Sequence, residues 1–122
     1  MSVSSGISII QNKRIELFRQ KFAEKGLVRL FTQYELEYSL QKSNWAQHLG
    51  CRFAAKCAFF HAMKWDKWYD YMSVSIEHGT LGAPCMILSG QIDGFFRNSE
   101  YSAIHISMSH IKEYSIANIL LT

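Results

Sequence analysis

HLGCRFAAKCAFFHA, residues His48 to Ala62, sets three cationic side chains on an otherwise apolar stretch. His48, Arg52 and Lys56 are spaced i, i+4, i+8, so on an α-helix they lie on one side, and no Asp or Glu within the segment offsets them. Like charges so placed repel. A helix carries them without loss if that side is solvated, and gains from them if an anion such as a phosphate lies along it. Leu49, Phe53, Ala54, Ala55, Ala58, Phe59 and Phe60 supply apolar bulk on the remaining faces, which predicts that this helix packs into a core.

N-terminal to it, Thr32-Gln33-Tyr34-Glu35 matches the S/T-x-x-E capping box and predicts a short helix through about Leu40; Ser43-Asn44 then opens the long helix. Further back, Ser2 to Ile10 reads as a strand. Asn12 is a good N-cap for a helix from Lys13 to Lys25, with Ile15, Phe18 and Phe22 at helical spacing, Gly26 as its stop, and Leu27 to Phe31 as a short link. The rest of that helix is basic: Lys13, Arg14, Arg19, Lys21 and Lys25 face only Glu16 and Glu24, which suits a solvated face or an acidic partner.

C-terminal to the long helix, Trp65 to Met72 reads as a helix end passing into a loop. Val74 to Glu77 and Cys85 to Leu88 read as a hairpin across the turn-rich residues 78–84, and Gly90 to Ser99 as a loop. Ile104, Ile106 and Met108 alternate with His105, Ser107 and Ser109 in a strand that pairs with Tyr114 to Leu121, and His110 falls where this last hairpin turns.

The 122 residues, 48% hydrophobic and 19% charged, fit one domain with a core of its own. A net charge of +3 carries no nucleic-acid argument unless clustered. Cys51, Cys57 and Cys85 are an odd number without a CxxC pair or a secretory signal, which fits a reducing, cytoplasmic setting, and no apolar run is long enough for a membrane span. Ser107, Ser109 and His110 have neither a G-x-S-x-G elbow nor a carboxylate placed to orient the histidine. Cys57 and His61 have zinc-compatible helical spacing but no second pair of ligands, and Gly79 and Gly82 precede no helix signal, so they read as turn glycines.

Taken in order, GISII, KRIELF, FTQYELEY, QHLGCRFAAKCAFF with its R-F-A-A-K core, Gly82-Ala83-Pro84 followed by ILSG, and SMSHIKEYSIANIL resemble the small holo-acyl-carrier-protein synthases. These enzymes move 4′-phosphopantetheine from coenzyme A to a serine of an acyl carrier protein. The resemblance runs over nearly the whole chain. It implies a small α+β domain, with antiparallel strands and a long central helix, that assembles as a symmetric homotrimer or as a mixed trimer with a relative. Coenzyme A is expected in clefts between subunits, near His48, Arg52, Lys56, Gly82, Pro84 and His110. Lys56, Glu35 and His110 are the expected catalytic residues, and Arg14, Lys13 and Lys21 the residues expected to meet the carrier protein.

At three positions the chain departs from the family pattern. Ser8 and Cys57 stand where the family has the aspartate and glutamate that hold Mg²⁺ against the diphosphate, and His61 stands where a lysine is usual. Magnesium wants oxygen ligands, and a thiol replaces a carboxylate poorly. The reading adopted is a transferase, in which the carrier-protein serine attacks the β-phosphate while diphosphate, water and Glu35 hold the metal. The alternative is a non-catalytic relative that binds carrier protein or coenzyme A. The phosphate stripe favours the first, since a bare scaffold has no evident use for it.

Overall fold

The computed structural model describes residues 2–122. Strand β1 (Ser4–Gln11) runs directly into α1 (Asn12–Leu30), followed by α2 (Gln33–Leu40) and α3 (Trp45–Ala62). Strands β2 (Val74–His78) and β3 (Pro84–Leu88) form a hairpin, α4 (Gly90–Arg97) comes next, and β4 (Ile104–His110) and β5 (Tyr114–Leu121) complete the fold. The α+β class expected from the sequence is the one observed: an antiparallel sheet in the order β1-β5-β4 and a second, two-stranded sheet, β2-β3.

Helix α3 lies against the inner face of the larger sheet because its contact side is built from small residues. Ala54, Ala55, Ala58 and Ala62 are buried there beside Ala117, Ile119 and Leu121 of β5. A Cβ on Gly6 of β1 would overlap the Ala58 carbonyl, and one on Gly50 would overlap Asn12 and crowd Ser115, so both glycines permit the close approach of helix and sheet. On the other side, Phe59 and Phe60 bury against Val74, Ile76 and Ile92. Each such aromatic contributes roughly 1.5–3 kcal/mol by leaving water.

Three local expectations need correction. The first helix does not stop at Gly26: it breaks at Ala23, where φ is 53°, and resumes to Leu30. Leu27 and Phe31 are fully buried, so the apolar run read as a link is a helical turn held down by packing. Asn12 does not cap that helix. Its amide donates to the carbonyls of Ile111 and Lys112 and its oxygen accepts from Ser115 Oγ at 2.7 Å, pinning the β4–β5 turn. Finally, residues 90–97 are helical. Two glycines obscured an amphipathic turn in which Ile92 is buried, Phe96 packs on the core, and Asp93 pairs with Arg97 at 3.1 Å. The capping box is as expected, with Glu35 Oε1 accepting from Thr32 N at 2.8 Å. Among the described residues no helix is long and apolar enough to cross a membrane.

Candidate functional site

An α-helix turns by 100° per residue, so residues four apart precess by about 40°, and Lys56 is therefore about 80° round from His48. That drift divides the stripe. Lys56 points inward and is fully buried, its ammonium donating to Glu35 Oε1 at 2.7 Å, Leu30 O at 2.8 Å and Tyr71 O at 2.9 Å. Three donors meet three acceptors, leaving none for a phosphate. Burial pulls the Lys56 ammonium below the ordinary lysine range, and the Glu35 carboxylate opposes that shift.

Glu35 is equally committed. Besides Lys56 and Thr32 N, its Oε2 accepts from Ile76 N at 2.7 Å, so one carboxylate joins α2, α3 and β2. With both oxygens used and no exposed surface, it is not free to hold a metal as the sequence reading had it. The Lys56–Glu35 pair is a structural clamp. Neither of these two expected catalytic side chains reaches the surface.

His48 and Arg52 face the other way, into a crevice where α2, α3, β2 and β4 meet. Tyr38 of α2 is its hub: the Arg52 guanidinium lies 4.6 Å from the centre of its ring, the Lys42 ammonium 4.5 Å, and the His78 ring 4.3 Å. The His48 ring is 5.9 Å from Tyr38 and 5.2 Å from His110. Gln47 Oε1 sits 2.6 Å from His110 Nδ1. An amide oxygen only accepts, so Nδ1 carries the hydrogen and Nε2 presents a lone pair in the neutral ring. Tyr34 adds a hydroxyl, which accepts from His78 N at 3.1 Å.

No carboxylate answers this cluster from within. Arg52 is 2% exposed, donates from Nη1 to the His48 carbonyl at 3.0 Å, and leaves its Nε without a partner. Burial pushes the Arg52 guanidinium below its usual value. Burial, then the charges of Arg52, His110, Lys42 and His78, hold His48 down to about 4. His78 is lowered for the same reasons, burial first and then Arg52 and Lys42. A guanidinium offers donors from Nε and both Nη atoms, and here the buried Nε has no partner.

The other expected site residues fall in three places. Pro84 is the strand partner of His78, which brings the exposed Gly82–Pro84 corner to the edge of the crevice. Ser8 lies on the face of β1 toward α3, in register with Ser4, whose Oγ donates to Ala62 O at 2.7 Å, and with Gly6. Cys57 is half-buried on α3, and burial pushes its thiol up to about 11, so it is neutral near pH 7. A hydroxyl and a neutral thiol do not suit Mg²⁺, and the described residues bring together no group of three His, Cys, Asp or Glu side chains. On α1, Arg14 and Lys21 are exposed, and Lys13 pairs loosely with Glu16 at 3.4 Å.

Sequence reading missed Tyr38, Lys42 and His78. Tyr34 and Tyr38 at i and i+4 were a usable signal for one aromatic face of α2; His78 had none, because only the hairpin's packing brings it to α2.

Fold and cluster together define a small α+β protein that gathers cationic and imidazole groups around Tyr38. No family model matches the chain. It is 32% identical over 117 residues to the holo-[acyl-carrier-protein] synthase of Thermodesulfovibrio yellowstonii, covering 96% of each chain. It is also 32% identical over 126 residues to that of Geobacter metallireducens, covering 99% of this chain and 98% of the relative. Among solved structures, the Neisseria meningitidis holo-[acyl-carrier-protein] synthase superposes with a TM-score of 0.87 at 26% identity, covering 98% of this chain and 97% of that one. The Bacillus anthracis enzyme, in complex with CoA (3′,5′-ADP), superposes at 0.74 with 28% identity, covering 97% and 94%. The chain belongs to the holo-[acyl-carrier-protein] synthase family.

Proposed function

We propose that this protein is a 4′-phosphopantetheinyl transferase that converts an apo acyl carrier protein to its holo form. The serine oxygen of the carrier attacks the β-phosphorus of coenzyme A, the P–O bond to the leaving phosphate breaks, and 3′,5′-ADP departs. The observation that carries this is the crevice at Tyr38, where Arg52 is buried with its Nε unpaired beside His48, His78, His110 and Lys42. Such donors stabilise phosphate charge, and more strongly away from water. Arg52, His48 and His110 bind phosphate, Gly82 and Pro84 border the ligand, and Lys56 and Glu35 hold the frame. The test combines purified protein, coenzyme A and a panel of apo carrier proteins, read as the mass gain of the phosphopantetheine arm. Gain on at least one carrier supports the reading; none, with no binding of coenzyme A, overturns it.

Ser8 and Cys57 favour a second reading, a relative that binds carrier protein or coenzyme A without transfer, alone or in a mixed trimer. Binding without mass gain selects it.

Assembly as a homotrimer is supported by the outer face of the larger sheet, which leaves Ile7 59%, Ile9 62%, Tyr114 47% and Leu120 39% exposed. Large apolar side chains left so exposed on one face call for a cover. Light scattering at micromolar concentration should give three times the chain mass, and Ile7→Lys with Ile9→Lys should give monomer. A stable wild-type monomer overturns the expectation.

The carrier protein docks on α1. Arg14→Glu with Lys21→Glu should weaken binding of an acidic carrier about tenfold and flatten its salt dependence, because opposed charge both steers and holds such partners. Unchanged binding would make this helix a solvated face only. The free thiols of Cys51, Cys57 and Cys85 support a reducing, cytoplasmic setting.

A further inference from the structure

We propose that this site answers the charge of a bound phosphate with protons: His48 and His78, beside Arg52, Lys42 and His110, become protonated as the anion of coenzyme A enters. The inference rests on the transferase reading for the identity of the ligand, and on the geometry of the crevice for the rest. Related enzymes are expected to offset diphosphate charge with a divalent cation held by two carboxylates, and here those positions carry a hydroxyl and a neutral thiol. Apart from those two positions, three imidazoles from three elements converge, His48 from α3, His78 from β2 and His110 from β4, with ring centres of neighbours 4.3–5.9 Å apart through Tyr38.

Every element around His48 and His78 presents a cation or a neutral polar group. Helix α2 and the residues after it give Tyr34, Tyr38 and Lys42; α3 gives Arg52; β4 gives His110. Glu35, whose charge reaches Arg52, is locked to Lys56, and Glu77, beside His78 on β2, belongs to the opposite face of that strand. In the free protein burial, and after it this crowding of cations, lowers His48 and His78. An entering phosphate reverses the sign of the local field, and an opposite charge within a few ångströms favours the protonated ring.

The direction of the linkage follows. Groups that are neutral in the free protein and protonated in the complex take up protons on binding, so affinity rises as pH falls below the pKa of the complex toward that of the free protein, and is level above the first and below the second. By reciprocity, the ligand raises the imidazole pKa by the same free energy that protons add to ligand affinity. Tightening approaches tenfold per pH unit for each proton fully linked.

Calorimetric titration of coenzyme A, and separately of 3′,5′-ADP, into the wild-type protein tests this near pH 7 in buffers of low and high ionisation enthalpy, with EDTA or with millimolar Mg²⁺. We expect an apparent enthalpy that depends on the buffer with the sign of proton uptake, an affinity that Mg²⁺ leaves within about twofold, and roughly tenfold weaker binding at pH 8 than at pH 6. The 3′-phosphate can itself gain a proton, so the series is repeated on His48→Gln with His78→Gln, whose folding is checked by its melting curve. Uptake that falls by half or more in this variant supports the proposal. Uptake that persists unchanged places the proton on the ligand and overturns it, as do a buffer-independent enthalpy and binding that requires Mg²⁺. Absence of any binding overturns the phosphate reading of the crevice as well, so the two failures are distinguishable.

Discussion

Lys56→Met is expected to destabilise the protein by roughly 3–5 kcal/mol, the usual consequence of removing one partner of a buried ion pair. For a domain of this size that is a fall in melting temperature of about 10–20 °C. The reason lies less in the attraction lost than in what remains: Glu35 stays fully buried with an uncompensated charge, and the carbonyls of Leu30 and Tyr71 lose their donor. Glu35→Gln added to Lys56→Met should recover part of the loss, since the neutral amide keeps an oxygen for Thr32 N or Ile76 N without a stranded charge. Thermal melts of the single and double variants measure this. A single variant that melts within about 3 °C of wild type would show that the pair is not the clamp described. The same experiment separates framework from chemistry, because a phosphate-contacting lysine would lower coenzyme A affinity while sparing the melting temperature.

Ser8→Asp combined with Cys57→Glu is expected to raise Mg²⁺-dependent transfer by about a hundredfold to a thousandfold, on the scale of one preorganised electrostatic contact in a transition state. Two carboxylates on the β1–α3 seam would supply the hard oxygen ligands that Mg²⁺ prefers and that a thiol near 11 cannot. Transfer by the wild type, weak and insensitive to Mg²⁺, with stimulation of the double variant by the metal, marks an enzyme that works without a resident cation. Transfer only in the double variant marks a binding protein descended from an enzyme. If neither transfers and the variant's melting curve matches wild type, Ser8 and Cys57 do not stand at a metal position.

Period and cap chemistry made most of the fold legible. Alternation marked β1, β4 and β5, and the Thr32/Glu35 capping box located α2 to the residue. Glycine misled where burial decided the outcome: Gly26 is buried with Leu27 within α1, and Gly90 and Gly94 belong to a helix fixed by Ile92 and Phe96. The site was half visible. Arg52 and His48 could be chosen from spacing, but the partner that turns Lys56 inward comes from α2, and His78 reaches Tyr38 only after a separate hairpin packs. Contacts between elements leave no trace in local periodicity.

The strand order β1-β5-β4 also has a bearing on synthesis. β1 is made long before its strand partner among the described residues, β5, with Ser4 opposite Leu121 and Asn12 bonded to Ser115, 103 residues away. Until the ribosome has released that distant segment, Ile7 and Ile9 belong to an unpaired sheet edge, and α3 has no central strand to cover its row of alanines. Pairings of such long range fold slowly and leave apolar surface open to other chains meanwhile. The nascent chain is therefore a natural client for a holding chaperone, and loss of residues from β5 would cost the middle of the sheet and not one of its edges.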